Sequence, residues 1–105
     1  MKNLEDSKLF TPYQMGPVTL RNRVIRSAAL ESMGKDLGPS QDLKDYHVSV
    51  ARGGVGMTTL AYASINRSGV SFNSQLWLRD EIVPQLRDIT DAVHNEGAAV
   101  GIQRI

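Results

Sequence analysis

Three short apolar runs alternate with two amphipathic segments along this chain, and that alternation limits the folds open to it. The apolar runs span residues 24–30, 55–61 and 98–103, and the segments between them show helical spacing of apolar residues. Because a helix separates each run from the next, the runs are expected to pair as parallel strands with right-handed crossovers. The sequence therefore predicts an α/β fold in the order strand, helix, strand, helix, strand.

The first amphipathic segment predicts a helix from Ser40 to about Arg52. The Ser40 hydroxyl can accept a hydrogen bond from a backbone N–H of the first turn, and Gly53-Gly54 would end the helix. These glycines follow a helix and open a strand, the reverse of a dinucleotide-binding loop, so we interpret them as a helix stop. The predicted apolar face of this helix consists of Leu43, Tyr46 and Val50.

The second amphipathic segment predicts a helix that follows Asp80, carries Pro84 in its first turn and ends at Gly97. Residues 62–79, between the second apolar run and this helix, are expected to form a loop. The predicted apolar face of the second helix consists of Ile82, Leu86, Ile89 and Val93.

Ahead of the first apolar run, residues 9–20 alternate apolar and polar side chains around Gly16-Pro17, which predicts a small β-hairpin. Residues 1–8 are polar and are expected to be flexible. The folded domain is therefore expected to cover residues 9–105.

Three parallel strands and two helices leave one face and both edges of a sheet uncovered. A closed (β/α)8 barrel takes about 200–250 residues, and this chain has 105. The expected architecture is the N-terminal portion of such a barrel, incomplete by itself. Its open edges would favour self-association, since unpaired strand edges are templates for further pairing.

Composition excludes several functions. Twelve Lys and Arg against 11 Asp and Glu give a net charge of +1, so a basic surface for nucleic acid is not expected. The absence of cysteine excludes disulfides, thiolate metal sites and a cysteine nucleophile. The sequence has neither a membrane-spanning apolar run nor a signal peptide at its start, so a cytoplasmic location is expected.

Several residue types that often carry chemistry are interpreted here as structural. His47 and His94 lack a second ligand at metal spacing, so we assign both to structural or surface roles and expect no metal site. Asp88 and Asp91 are expected to lie on a solvated helix face. Trp77 is expected to anchor the loop after the second strand.

The ends of the first and third apolar runs are better candidates for a ligand site. Ser27-Ala28-Ala29 ends the first strand, where barrel enzymes place their active sites and where small side chains let a flat ligand approach the backbone. Gln103 ends the third strand with a carboxamide that can both donate and accept hydrogen bonds. From residue types alone, Gln103 could equally satisfy neighbouring backbone groups.

Several short motifs follow one another in order: Leu9-Phe10-Thr11-Pro12, residues 20–28, Arg52-Gly53-Gly54-Val55-Gly56, Gln75-Leu76, Asp80-Glu81, His94-Asn95-Glu96-Gly97 and Gly101-Ile102-Gln103. In identity and spacing they resemble the N-terminal part of the Old Yellow Enzyme family of NADH:flavin oxidoreductases, over residues 9–103. That family has a (β/α)8 barrel and uses flavin mononucleotide (FMN). The resemblance implies that NADH or NADPH reduces the flavin, which then passes hydride to an alkene conjugated to a carbonyl or nitro group.

The resemblance also assigns residues to the flavin. Ser27, Ala28, Ala29 and Leu30 match the loop that touches the flavin ring, and Gln103 matches a glutamine that pairs with the pyrimidine edge of the ring. Either Ala61 or Tyr62 matches a backbone contact after the second strand. The resemblance thus favours a functional role for Gln103.

Two departures from the family pattern affect these expectations. Many members have proline at the position of Ala28 and a flavin-tuning threonine or cysteine at the position of Leu30. The chain continues after Gln103 only with Arg104-Ile105, and the family's substrate-binding and proton-donating residues belong to later strands. We therefore assign no catalytic residue and expect a truncated or split barrel that is inactive alone.

Two alternatives remain open from the sequence. The chain could be a non-catalytic fragment that associates with a partner through its open sheet edges. It could also be a small βαβ binding module that is unrelated to flavin.

Overall fold

A computed structural model describes residues 7–29, 31–71 and 74–104. Its helices and strands, in chain order, are β1 (Tyr13–Met15), β2 (Val18–Leu20), β3 (Ile25–Arg26), α1 (Gln41–Arg52), β4 (Met57–Ser64), β5 (Leu76–Trp77), α2 (Val83–Asn95) and β6 (Ala99–Arg104). Short 3-10 turns cover Lys8–Phe10, Arg67–Gly69 and Asp80–Ile82. Among the described residues no helix is long and apolar enough to cross a lipid bilayer.

The predicted hairpin is confirmed by the antiparallel pairing of β1 with β2, in which Met15 lies opposite Val18. The connecting turn is Gly16-Pro17, and Gly16 has a φ of +57°. Glycine adopts this left-handed conformation without the steric cost that a Cβ would impose.

The parallel sheet is built around β4. Strand β3 pairs with the start of β4, with Ile25 opposite Met57. Strand β6 pairs with β4 from Met57 opposite Ala99 onward, and β5 adds to the far end of β4, where Ala63 lies opposite Leu76. The predicted parallel α/β order is confirmed, and the sheet formed by the described residues is open rather than closed into a barrel.

The predicted loop over 62–79 was wrong at both of its ends. Strand β4 continues to Ser64, and the two-residue strand β5 forms beside it. Ser64 and Gln75 are buried although both are polar. The Leu78 N–H donates to the Ser64 carbonyl at 2.9 Å. Polar residues inside the fold interrupt the apolar pattern, so the sequence did not show these pairings.

Helix α1 begins as predicted, because the Ser40 hydroxyl accepts a hydrogen bond from the Leu43 N–H at 3.1 Å. The face predicted for this helix was only partly correct. Tyr46 and Val50 are half-buried, whereas His47 is fully buried. The residues of α1 that are buried are Leu43, His47 and Ala51.

Helix α2 has Pro84 in its first turn, as predicted. Ile82 is buried in the 3-10 turn that leads into α2, while Ile89 and Val93 are buried within the helix. Leu86 packs against the same core. The predicted apolar face is therefore confirmed.

The hydrophobic core lies between the sheet and the two helices. Val100 and Ile102 of β6 pack on this side. The opposite side is the helix-free face, defined here by Ile25, Met57, Gly101 and Gln103. A Cβ at Gly101 would lie 2.7 Å from the Met57 Cε atom, which places these two residues on one face. Gln103 joins them because side chains alternate along a strand.

The amino-terminal ends of the strands are joined to the helices by Arg21. Its guanidinium donates to the carbonyl oxygens of Ala51 at 2.6 Å, Glu96 at 2.8 Å and Val55 at 3.1 Å. Ala51 and Glu96 belong to the carboxyl ends of α1 and α2, where backbone carbonyls lack partners within the helix. One cation therefore caps both helices.

Candidate functional site

The loop after β3 lies at the carboxyl end of the sheet, as predicted. Ser27 and Ala29 are exposed, and Ala28 is half-buried. Leu30, the fourth residue expected to contact the flavin ring, lies outside the described residues. The small side chains of Ser27, Ala28 and Ala29 leave the backbone of this loop open to an approaching ligand.

Gln103 is exposed near the end of β6, on the helix-free face. The pairing of β6 with β4 shifts register between Leu60 and Ala63, which indicates a bulge in β4. Ile102 lies opposite Leu60 and Arg104 opposite Ala63, so Gln103 lies opposite the bulge. Bulges often occur beside functional sites, where they redirect a side chain or a backbone group.

The bulge consists of Ala61 and Tyr62, the two residues between which the sequence could not choose. Ala61 is 7% exposed. Its N–H donates to the Glu31 carboxylate at 3.3 Å and is therefore not the atom left for a ligand. The structure thus brings the bulge and Gln103 to neighbouring strand positions, and Glu31 links the bulge to the loop after β3.

Glu31 is the centre of a polar cluster that the sequence analysis did not identify. Its side chain is only 2% exposed. The Arg26 Nη1 atom lies 3.0 Å from its Oε1, and the His47 Nε2 atom lies 2.9 Å from its Oε2. With the Ala61 N–H, three groups from three different elements meet this one carboxylate.

The partners of Glu31 are themselves held in place. His47, which is fully buried, places its Nδ1 atom 2.8 Å from the Thr58 hydroxyl. Arg26 also donates to the Thr59 carbonyl at 3.0 Å, and its guanidinium carbon lies 4.9 Å from the centre of the Tyr46 ring. A buried charge is tolerated when it is paired and hydrogen-bonded in this way.

The other residues considered in the sequence occupy structural positions. His94 and Asp91 are exposed on α2, and the Asp88 carboxylate, 62% exposed, pairs with Lys44 of α1 at 2.9 Å. The guanidinium carbons of Arg67 and Arg79 lie 5.8 Å and 4.8 Å from the centre of the Trp77 ring, contacts that agree with an anchoring role. Within residues 7–29, 31–71 and 74–104, no group of three or more His, Asp or Glu side chains could hold a metal ion.

The site can recognise a flat, polar-edged ring. Gln103 offers a donor and an acceptor on one carboxamide, and the loop after β3 offers exposed backbone beside small side chains. Groups of this kind can pair with a ring edge that carries alternating carbonyl and N–H groups.

Comparisons with known proteins show the family to which the chain belongs. A model of the NADH:flavin oxidoreductase / NADH oxidase family matches residues 8–105. The chain is 41% identical over 95 residues to a 4,4'-dithiodibutanoate disulfide reductase of Rhodococcus erythropolis, covering 90% of this chain and 24% of that protein. It is 38% identical over 101 residues to an NADPH dehydrogenase of Listeria welshimeri, covering 92% of this chain and 30% of that protein.

Solved structures give the same fold. An Old Yellow Enzyme from Pichia sp. AKU4542 superposes with a TM-score of 0.88 at 18% identity, covering 97% of this chain and 27% of that one. The chain thus spans less than a third of the length of these proteins and matches one portion of their barrel. Family match, sequence identity and fold together show that this chain belongs to the NADH:flavin oxidoreductase / NADH oxidase family, the family of Old Yellow Enzyme.

Proposed function

We propose that this chain carries part of the ring-binding site of an FMN-dependent oxidoreductase that reduces activated alkenes with NADH or NADPH. The observation that supports it is the position of Gln103, exposed on the helix-free face and opposite the β4 bulge at Ala61 and Tyr62. A carboxamide in that position can pair with the polar edge of a flavin ring.

Each proposed residue has a separate task. The loop of Ser27, Ala28, Ala29 and Leu30 would support one side of the ring, and the bulge at Ala61 or Tyr62 would supply a backbone contact. Gln103 would fix the orientation of the ring by donating one hydrogen bond and accepting another. When bound, the flavin supplies hydride transfer from the reduced nicotinamide to the alkene, while the protein contributes binding and orientation.

Titration of the chain with flavin, followed by flavin fluorescence, tests this site. Because the proposed residues contact only the ring, riboflavin and FMN should bind with similar affinity. The Gln103→Leu variant should bind both about tenfold more weakly, as expected for a lost hydrogen-bonding group of about 1.4 kcal/mol.

The matched control is Gln85→Leu, since Gln85 is exposed on α2, away from the helix-free face. It should leave flavin binding unchanged. Equal binding by wild type and Gln103→Leu would remove Gln103 from the site. A strong preference for FMN over riboflavin would instead show that the chain also binds the phosphate.

We also propose that the chain associates with a second copy of itself through the open sheet. Ile25 is 46% exposed on the helix-free face, although it lies in a strand. The edges of β3 and β6 present backbone groups available for pairing. Because Gln103 lies on the same face, a second copy seated there would compete with flavin for this surface.

A further inference from the structure

Ser27, Ala29 and Gln103 are exposed, yet the loop after β3 and the β4 bulge meet at one buried carboxylate. Glu31 closes the loop that begins at Ser27, and its Oε1 accepts the N–H of Ala61 in the β4 bulge at 3.3 Å. Two parts of the proposed ring site, from different elements, are thus joined through a side chain that is itself 2% exposed.

The carboxylate cannot move freely, because its other partners belong to rigid elements. Arg26 of β3 lies 3.0 Å from Glu31 Oε1, and His47 of α1 lies 2.9 Å from Oε2. The His47 ring is fixed in turn by the Thr58 hydroxyl of β4 at 2.8 Å. Residues 27–29 and 31–34 of the loop after β3 form no helix or strand. Through Glu31 this loop is anchored to a strand, a helix and the bulge.

We infer that Glu31 is a positioning residue, which holds the 27–29 loop and the β4 bulge in the relative geometry that receives the flavin ring. The expected effect of Glu31 on flavin binding rests on the proposed function. The contacts of Glu31 with Arg26, His47 and Ala61, here called the tether, do not depend on flavin. Glu31 acts through the loop and the bulge and needs no contact with the cofactor. Sites of this kind depend on supporting residues that keep the binding groups within a fraction of an ångström.

Amide hydrogen exchange in the 15N-labelled full chain measures the tether directly. In wild type, the Ala61 N–H should exchange slowly, because it donates a hydrogen bond to the Glu31 carboxylate. In Glu31→Ala, exchange at Ala61 should be at least about tenfold faster and order parameters should fall at residues 27–29. FMN affinity should fall by about tenfold, in line with the sensitivity of binding sites to small displacements. The conservative Glu31→Gln should retain most of the protection and affinity, because an amide oxygen can still accept from Arg26 and Ala61.

A double variant covers the case in which Glu31→Ala does not fold. Arg26→Met/Glu31→Met keeps similar volume and removes both charges, a replacement that commonly preserves stability. Because His47 Nε2 also loses its partner, the thermal unfolding midpoint should fall, but by less than in a variant that leaves Arg26 unpaired as well, while exchange at Ala61 accelerates and FMN affinity falls. The control is Glu96→Ala, which removes a carboxylate paired with Arg52 at 3.0 Å at the opposite end of the sheet. Glu96→Ala should change neither the exchange rate at Ala61 nor the affinity for FMN.

The outcomes separate the two proposals. If Ala61 exchange stays slow in Glu31→Ala and in the double variant, or accelerates there only as much as exchange at the amides of α2, Glu31 has no positioning role. If wild type fails to bind FMN, the proposed function is overturned, and exchange at Ala61 still decides whether Glu31 forms the tether. Accelerated exchange with unchanged FMN affinity would also overturn the inference, since the tether would then not shape the site.

Discussion

At the scale of single residues, His47 shows how burial can change the role of a common side chain. A lone histidine on a helix is usually a surface residue, but this one is 0% exposed and has polar partners on both ring nitrogens. Leaving any of these groups unpaired inside the protein would cost free energy. The Thr58 hydroxyl is the smallest of the partners and therefore the most direct to test.

Thr58→Val removes that hydroxyl and keeps the shape of the side chain. The free energy of unfolding should fall by about 1–3 kcal/mol, because His47 Nδ1 would remain buried without a partner. Urea unfolding followed by circular dichroism measures this change. Thr59→Val, at the adjacent position on the other face of β4, should have little effect. Equal loss in the two variants would show that the hydrogen bond to His47 contributes nothing specific.

At the scale of elements, Arg21 joins both helices to one end of the sheet, and Glu31 joins α1 to the other end. Arg21 satisfies carbonyls at the ends of α1 and α2 together with the Val55 carbonyl before β4. Glu31 joins the loop after β3 to α1 and the β4 bulge. The Arg21 cation thus stabilises the amino-terminal ends of the strands, and the Glu31 anion stabilises their carboxyl-terminal ends.

Arg21→Met should lower the free energy of unfolding by about 1–3 kcal/mol, because charged hydrogen bonds to helix-terminal carbonyls are lost while the apolar stem is retained. Guanidinium unfolding followed by circular dichroism provides the measurement. Arg87→Met, on the exposed side of α2, serves as the control and should shift the midpoint very little. If both variants behaved alike, the capping of two helices by Arg21 would not be a source of stability.

At the scale of the whole molecule, the chain has a covered side and an uncovered side. Helices α1 and α2 pack over one face of the sheet, and the helix-free face keeps Ile25 46% exposed. Parallel sheets are ordinarily covered on both faces. Burial of the helix-free face against another copy would remove this apolar surface from water.

The chain should therefore sediment as a dimer or larger species at micromolar concentration. Ile25→Lys should shift the distribution toward monomer, since burying an unpaired ammonium group is unfavourable. Ile65→Lys is the control, because Ile65 is 58% exposed in a segment after β4. Wild type that sediments as a monomer at all concentrations would contradict self-association through this face.

Local signals in the sequence were sufficient for most of the fold. Ser40 marks the start of α1 and Pro84 the first turn of α2, because caps and proline act within a few residues of themselves. The apolar runs over residues 55–61 and 98–103 predicted β4 and β6. The short motifs, in their order along the chain, indicated the family. The proposed site residues Ser27 and Gln103 were also identified from the sequence, because each lies at the predicted end of a strand.

Spacing and capping among near neighbours predicted the succession of the three main parallel strands and two helices. Packing between distant segments sets three further features: the inward position of His47 on α1, the pairing of β5 with the end of β4, and the burial of Glu31 beside Arg26 and His47. The side-chain pairs among these features join residues up to 16 positions apart along the chain. A buried polar side chain is stable only beside those partners, and no local pattern of residue types specifies which partners the fold will bring to it.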